Sequence, residues 1–511
     1  MPIGRTHAIS LLGLTGAVVE IEADISSNLP SFVLIGLPDA ALGEAKDRVR
    51  AAATNSGCGL PSRKITVNLS PAALPKHGSG FDLGIAVAIL AAAETINARS
   101  IDSVVHLGEL GLDGRLRPIN GILPAVLAAS RAGFETVMVP TGNAEEASLV
   151  PGVRIVAVAS LRDAAIWHGG TFEPEEVEPI MRPALGELEE DPGDLADVIG
   201  NADAIEAMIA AAAGGHHVFL LGPPGAGKTM LAARLPGLLP DLSAAAALEV
   251  SSVRSLAGMP VAGSLSRRPP FESPHHTASA AALVGGGSGL IRPGAAARAS
   301  HGVLFLDEAP EFAPSVLDAL RQPLESGVIS IHRANSVATF PGSFQLVMAA
   351  NPCPCGQYGA RDSECTCPPQ ARRRYVNRLS GPLLDRIDIQ YRVARITSAH
   401  VRLAASEQRM STQDARARVT AARATAAERL AKTPWTLNSQ VPGAWLRGAG
   451  VRLSPSVTAS IDRALERGGI TMRGYDRILR LAWTICDLEG SSRPTAEHLG
   501  QALYLRKAMS S

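Results

Sequence analysis

His217-Val218-Phe219-Leu220-Leu221-Gly222-Pro223-Pro224-Gly225-Ala226-Gly227-Lys228-Thr229 is an apolar strand running into G-x-x-x-x-G-K-T, and Met230-Leu231-Ala232-Ala233-Arg234-Leu235 reads as the start of a helix. A triphosphate needs many donors at close range. Gly222, Gly225 and Gly227 lack a Cβ, so the loop they form with Pro223, Pro224 and Ala226 can wrap phosphates and turn successive N–H groups inward. Lys228 supplies a mobile cation for the β- and γ-phosphates, and Thr229 a hydroxyl for Mg²⁺. The helix N-terminus brings its positive dipole end to the same point. The strand before and the helix after separate this motif from an ordinary glycine-rich turn.

A nucleotide hydrolase must also hold Mg²⁺ and activate water, so an acidic strand end should follow. Gly302-Val303-Leu304-Phe305-Leu306-Asp307-Glu308 has the near-continuous apolar run of a buried parallel strand and ends in two carboxylates. Asp307 is placed for the Mg²⁺ shell and Glu308 for the attacking water. A third strand, Phe344 to Ala350, ends in Asn351, whose amide can sit between the acidic strand and the γ-phosphate. The three segments together describe an α/β ATPase core.

Length and composition bound the rest. A chain of 511 residues is too long for one core and suggests two to four domains. With 46% hydrophobic and 19% charged residues it reads as a soluble globular protein. Zero formal net charge means that a polyanion must be met by a local patch, and 4% aromatics argue against a surface built on base stacking. No apolar run approaches the ~18–20 residues of a membrane span. Glu20, Glu22 and Asp24 interrupt the apolar N-terminal segment, whose alternation suggests a strand and not a signal peptide. Six cysteines, four of them crowded, point to a reducing cytoplasm.

Residues 1–168 alternate short strands (Lys64 to Leu69, Thr136 to Pro140) with Ala-rich helices (Leu83 to Ala93), an α/β domain without a nucleotide loop. Residues 169–195, with the acidic stretch Glu173 to Asp194, read as a linker. The ATPase core occupies 196–396, and 397–511 shows helical patterns expected of a lid. Within the core, Pro269 to Thr277 and Gly285 to Gly289 are insertions before the acidic strand. Val328 to Ala334 and Ser336 to Phe340 predict a β-hairpin before the Asn351 strand. Such projections would face a pore or a partner; surface loops of no consequence are the alternative.

Cys353-Pro354-Cys355 and Cys365-Thr366-Cys367 bracket a loop containing Gly356 and Gly359, and four thiolates so placed can close tetrahedrally around one structural Zn²⁺. Reduced thiols and a redox disulfide are the other readings. His275-His276 lacks a third ligand and suits a partner or backbone contact better than a metal. From Ala371 to Leu430 there are thirteen arginines, no lysine and five acids, a local surplus that could track phosphates or form a solvated helical face. Arg386, in Gly381-Pro382-Leu383-Leu384-Asp385-Arg386-Ile387-Asp388, falls where a subunit edge is expected and could reach a neighbour's γ-phosphate. Arg473, in Thr471-Met472-Arg473, offers another cation from the lid.

These residues resemble the magnesium-chelatase-like AAA+ ATPases, specifically the ComM/YifB group, over nearly the whole chain. The most specific pieces are Ser273-Pro274-His275-His276-Thr277, Asn351-Pro352-Cys353-Pro354-Cys355-Gly356, Gly381 to Asp388, and Tyr475-Asp476-Arg477-Ile478-Leu479-Arg480. The resemblance implies Walker A at Gly222 to Thr229, Walker B at Asp307 and Glu308, sensor 1 at Asn351, an arginine finger at Arg386 and sensor 2 at Arg473. It also implies a P-loop AAA+ core with helical lid, ATP and Mg²⁺ as cofactors, a hexameric ring with inserts at the pore, and DNA branch migration in natural transformation.

The first domain is similar to the proteolytic domain of Lon proteases, in the ribosomal-protein-S5-like class. Pro75-Lys76-His77-Gly78-Ser79-Gly80 aligns with the segment of the nucleophilic serine, and Ile119-Asn120-Gly121-Ile122-Leu123 with that of the lysine base. The serine position then falls on Gly80 and the lysine position on Leu123. A Ser–Lys mechanism needs both groups, so no peptidase activity is expected. Three classes of function remain: an ATP-driven motor on single-stranded or branched DNA, a chelatase-like remodeller of a protein partner, and a non-catalytic scaffold, against which Lys228, Asp307, Glu308 and Arg386 argue.

Overall fold

The computed structural model describes residues 3–36, 43–76, 78–182, 193–261, 263–287, 291–333, 336–358, 365–398, 402 and 409–506. His77, Ser288, Gly289, Ala334, Gly359 and much of the acidic stretch lie outside those residues, as do parts of 399–408 and 507–511.

The N-terminal sheet has seven strands: β1 (Gly4–Leu12), β2 (Thr15–Ser26), β3 (Ser31–Ile35), β4 (Lys64–Ser70), β5 (Val104–His106), β6 (Thr136–Pro140) and β7 (Arg154–Val158), in the order β3-β4-β2-β1-β5-β6-β7. In β4, Ile65, Val67 and Leu69 face the core while Lys64, Thr66 and Asn68 do not, the two-residue period of a strand with one buried face. Helices α1 (Ala45–Asn55), α2 (Asp82–Ala92) and α3 (Ile122–Arg131) accompany the sheet. All eleven residues of α2 are buried, so this helix is the centre of the core. Truncating Leu83 or Ile85 to alanine there would cost about 2–5 kcal/mol. The apolar N-terminal segment differs from the single strand expected. It turns at Gly13, held at φ 63°, and returns as β2, pairing from Gly4↔Ala23 to Leu12↔Thr15.

Helix α4 (Ala202–Gly214) leads into the second sheet, built from β8 (Val218–Leu221), β9 (Phe271–Glu272), β12 (Val303–Leu306), β15 (Gln345–Ala350) and β16 (Ile389–Arg392). Its order is β9-β12-β15-β8-β16, with every pairing parallel. All residues of β8, β12 and β15 are buried, as continuous apolar runs in a two-sided parallel sheet demand. Between these strands lie α5 (Lys228–Leu238), α6 (Ala244–Ala257), α7 (Ala280–Val284) and two hairpins. One hairpin pairs β10 (Gly285–Gly286) with β11 (Arg292–Pro293); the other pairs β13 (Val328–Arg333) with β14 (Ser336–Pro341). After the sheet's third strand comes α8 (Pro369–Val376), and the C-terminal part is helical: α9 (Thr412–Leu430), α10 (Pro455–Glu466), α11 (Met472–Leu488) and α12 (Ala496–Tyr504).

The two sheets' units touch. Gly121 N–H donates to Ser255 O at 3.0 Å, at the C-terminal end of α6, and Gly13 forms a β-bridge with Thr339 of β14. No helix among the described residues is long and apolar enough to cross a membrane.

Candidate nucleotide-binding site

The glycine loop leaves the C-terminal end of β8 and closes onto α5. Gly225 (φ 73°) and Gly227 (φ 87°) adopt left-handed backbone, which a Cβ would oppose. Lys228, only 8% exposed, folds back to donate to Gly222 O (2.7 Å), Pro223 O (3.0 Å) and Asn351 Oδ1 (3.1 Å). Burial draws its pKa below the ordinary lysine value, while Asp307 and Glu308 pull the other way. Asn351 reaches Lys228 because β15 lies directly between β8 and the acidic strand β12.

Thr229 Oγ1 donates to Asp307 Oδ2 at 2.7 Å, and Asp307 Oδ1 accepts from Glu308 N–H at 2.9 Å. A hydroxyl and a carboxylate in contact at the end of a phosphate loop are the hard oxygen donors that suit Mg²⁺. Glu308 sits at φ 49°, a conformation that costs a non-glycine residue of order 1–3 kcal/mol and recurs at functional sites. Its carboxylate lies 3.6 Å from His276 Nδ1. So His276 meets an acidic side chain of its own chain, and His275 Nδ1 accepts from Thr277 N–H at 3.4 Å, the backbone contact expected for this pair.

The cysteine loop forms a flank of the same site. A Cβ on Gly356 would lie 2.6 Å from Pro224, so the two loops are in close contact. The Sγ atoms of Cys353, Cys355, Cys365 and Cys367 all lie within 4.8 Å of one another. Cys353–Cys355 is 3.3 Å, and Cys365 is 3.7 Å from each of them. Tetrahedral ligands at about 2.3 Å from zinc stand about 3.8 Å apart, so the cluster matches a metal-sized hole. Burial pushes Cys353 up to about 12, whereas the Gln357 backbone draws Cys355 down to about 6. Tyr375 on α8, a residue the sequence did not single out, is pushed up to about 12 by burial and by Glu311 and Glu308, and it hydrogen-bonds the Asn351 backbone.

Arg386 and Arg473 make no hydrogen bond or ion pair with these groups among the described residues. The Arg386 side chain is 12% exposed and pairs with the Glu325 carboxylate and Pro382 O; its Nε has no partner. Burial lowers its pKa, and neighbouring Arg321, Arg473 and Arg477 add to the effect. Arg473 is 73% exposed and stands 3.8 Å from Asp385. Arg477, from the same turn of α11, holds buried Asp388 at 2.6 Å, and His216 contacts the other oxygen at 3.2 Å. Helix α11 thus grips both ends of the segment that carries Arg386.

Part of the arginine surplus is paired within the chain. Arg378 pairs with Glu311, Arg416 with Asp241, Arg418 with Glu206 and Arg429 with Asp487, and Arg423 donates to Ala212 O. These contacts tie five of the thirteen arginines to other segments of the chain.

A phosphate loop on the central part of an all-parallel sheet, carboxylates two strands away and an amide on the strand between define a P-loop ATPase core of the AAA+ class. Three family models cover most of the chain: "Magnesium chelatase, subunit ChlI" over residues 194–401, "Subunit ChlI of Mg-chelatase" over 21–143 and "Magnesium chelatase, subunit ChlI C-terminal" over 409–506. An uncharacterized protein of Mycobacterium tuberculosis is 47% identical over 99% of both chains. Competence protein ComM of Haemophilus influenzae is 40% identical over 99% of this chain and 98% of its own. The uncharacterized protein YifB of Escherichia coli is 38% identical over 99% and 97%. The chain belongs to the magnesium-chelatase-like AAA+ family that includes ComM and YifB. A Lon protease of Mycolicibacterium smegmatis shows a partial likeness, 31% identity over 34% of this chain and 23% of that one.

Proposed function

We propose that this protein is an ATP-hydrolysing ring motor, a hexamer, that acts on branched or single-stranded DNA as a branch-migration translocase. Family membership supports ATP and Mg²⁺ as its cofactors. The loop N–H groups of Gly222 to Thr229 and the Lys228 ammonium bind the phosphates; Lys228 exchanges its carbonyl partners for phosphate oxygens as nucleotide enters. Thr229 and Asp307 would hold Mg²⁺, which supplies charge neutralisation at the phosphates. Glu308 takes the proton of the attacking water, and Asn351, anchored beside Lys228, orients the γ-phosphate side. Arg386 serves the neighbouring protomer's nucleotide and Arg473 adds a lid contact.

The observation that carries the DNA reading is the joining of the two hairpins. A Cβ on Gly285 of β10 would lie 2.8 Å from the Ile331 side chain of β13, so the two hairpins pack together, and their strands carry Arg292, His332 and Arg333. The cysteine cluster is a structural zinc site that fixes the loop after Asn351.

The peptidase-like cleft is inert in this reading. Residues 78–81 and 118–121 do line one cavity of about 230 Å³, but Ser79 Oγ donates to Glu109 and Leu123 is an apolar core residue. Lys76 is fully buried, with its Nζ on Gly36 O (3.0 Å) and Pro71 O, so it is no base for Ser79.

The test is ATP hydrolysis with and without single-stranded DNA or a four-way junction. Stimulation that falls steeply with salt, and that Arg292→Ala with Arg333→Ala abolishes, supports the motor. A rate indifferent to every nucleic acid overturns it in favour of the protein remodeller.

A further inference from the structure

We infer that Tyr375 is a positioning residue that sets Asn351 from its backbone side, and that the cysteine cluster bears on hydrolysis through this contact. The inference rests on the reading of Asn351 as the amide that orients the γ-phosphate side. Asn351 follows the last residue of β15, where Ala350 pairs with Leu221 of β8. Its N–H therefore lies beyond the ladder. The Tyr375 oxygen accepts that N–H, and Tyr375 is only 6% exposed. On its other side, Asn351 Oδ1 accepts from Lys228 Nζ at 3.1 Å. The residue is thus pinned at two points, by its backbone and by its side chain. A donor left unpaired in such a place costs about 1–3 kcal/mol, so the backbone of Asn351 follows the phenol. Burial above all, then Glu311 and Glu308, push that phenol up to about 12, so it meets the N–H as a neutral hydroxyl.

The position of the phenol is set in turn by what holds α8. Tyr375 is the buried residue of this helix, so core packing does little to place the rest of it. Its start follows directly from Cys367 and Pro368, while Asn351 leads through Pro352 into Cys353. With all four Sγ atoms within 4.8 Å, the cluster clamps the end of β15 to the start of α8. Pro352, Pro368 and Pro369 have fixed φ, so a shift at the cluster passes along these short links with little slack. Arg372 adds a second tie, its guanidinium lying 4.1 Å from the centre of the Tyr358 ring. Just past the helix, Arg378 pairs with Glu311 at 3.1 Å and fixes this end to the turn after the acidic strand. Tyr375 sits between these anchors, where a displacement of either is delivered to the Asn351 N–H.

The experiment combines steady-state Mg-ATP hydrolysis by the full chain, nucleotide titration, and amide hydrogen exchange read at Asn351. It compares the unsubstituted protein with Tyr375→Phe, Cys353→Ser, the two combined, and Asn351→Ala. Tyr375→Phe keeps the ring in its pocket and removes only the oxygen. Its kcat should fall about five- to tenfold with ATP affinity within about twofold, and the Asn351 amide should exchange at least about tenfold faster. The combined variant should fall no more than about twofold below the worse single one, because both substitutions act at one contact. A Tyr375→Phe kcat within about twofold of the unsubstituted protein, or an unchanged Asn351 exchange rate, overturns the positioning role. Single effects that multiply in the combined variant overturn the route from the cluster. Should Tyr375→Phe fold poorly, the unsubstituted protein still decides: an Asn351 amide that exchanges as freely as an exposed loop sinks the inference. Full turnover by Asn351→Ala instead overturns the assignment of Asn351 itself, and so separates the two failures.

Discussion

Asp388→Asn tests how the helical region is coupled to the ATPase sheet. Asp388 is 2% exposed at the entry of β16, with Arg477 at 2.6 Å and His216 at 3.2 Å, and His216 passes the contact on to Thr484 of α11 at 2.7 Å. Burial alone would raise the pKa of this carboxyl, yet Arg477 and His216 hold it well below the usual range. Removing the charge leaves Arg477 opposite a neutral amide in a closed site. Breaking a buried pair costs about 3–5 kcal/mol, and at roughly 2 °C per kcal/mol for a unit of this size the melting temperature falls by about 6–10 °C. The sign of the pH dependence follows from the depressed folded value. The stabilisation is present above the ordinary carboxylate pKa of about 3.9 and is lost as the pH falls through the folded value, so the gap between the two proteins narrows in acid. Thermal melts of Asp388→Asn, Arg477→Gln and the double variant, from neutral pH to about pH 3, check both points. A fall under about 2 °C, or single effects that add to within about 0.5 kcal/mol, would refute the coupling.

Lys228→Ala should weaken ATP binding by about ten- to a hundredfold, since a charge-assisted phosphate contact is worth about 1.5–3 kcal/mol; a fluorescent nucleotide titration reads it. One zinc per chain should be found by elemental analysis, and Cys353→Ser should lose it and lower kcat about tenfold with ATP affinity within about threefold, because the Cys353 loop abuts the phosphate loop without donating to it. Burial lowers His168 to about 4, and its Nε2 is 2.9 Å from that of His106, so the first domain loses stability as pH falls from about 6.5 to about 4. The loss amounts to about 3 kcal/mol, and His168→Gln should flatten that acid limb in pH-dependent melts. Glu325→Gln should lower the protein concentration at which turnover appears by about threefold, measured by dilution in the ATPase assay; Arg386→Ala should abolish turnover while nucleotide stays bound.

The grouping of the candidate site residues was legible because their pattern is local in sequence. Gly222 to Thr229 needs only its own backbone, and β8, β12 and β15 announce themselves as unbroken apolar runs ending in the groups that matter. The hairpin at Val328 to Pro341 was legible from β-branched alternation around a polar turn. The contacts that tune the site were not, because they join segments that only the fold brings together. Nothing near His276 indicates that β9 lies beside β12, and the motif that reads as a partner or backbone contact also brings His276 to Glu308. Counting arginines is incomplete for a related reason: a run's net charge ignores acids such as Glu206, Asp241, Glu311 and Asp487, contributed by other segments, that pair with four of them. The N-terminal hairpin hid behind apolar residues on both sides of Gly13, where one left-handed glycine is the whole turn signal.

The candidate reactive groups are held by different parts of the chain, and that division bears on how the proposed assembly would enter the chemistry. Asn351 answers to the cysteine loop, Glu308 lies beside His276, and Arg386 answers to α11 through Asp385 and Asp388. Arg386 is occupied by Glu325 of its own protomer, and its Nε has no partner there. A guanidinium in that state is neither free nor fully satisfied. The Glu325 side chain is 64% exposed, and a pair of that kind contributes at most about 1 kcal/mol, far less than a triphosphate can offer a neighbouring cation. The pair with Glu325 therefore costs little to break, and in the proposed ring a neighbour's nucleotide would draw Arg386 out. Because α11 grips the segment on both sides of Arg386, drawing it out in the proposed ring would also move the helical region, and hydrolysis in one protomer would then be tied to the posture of the next.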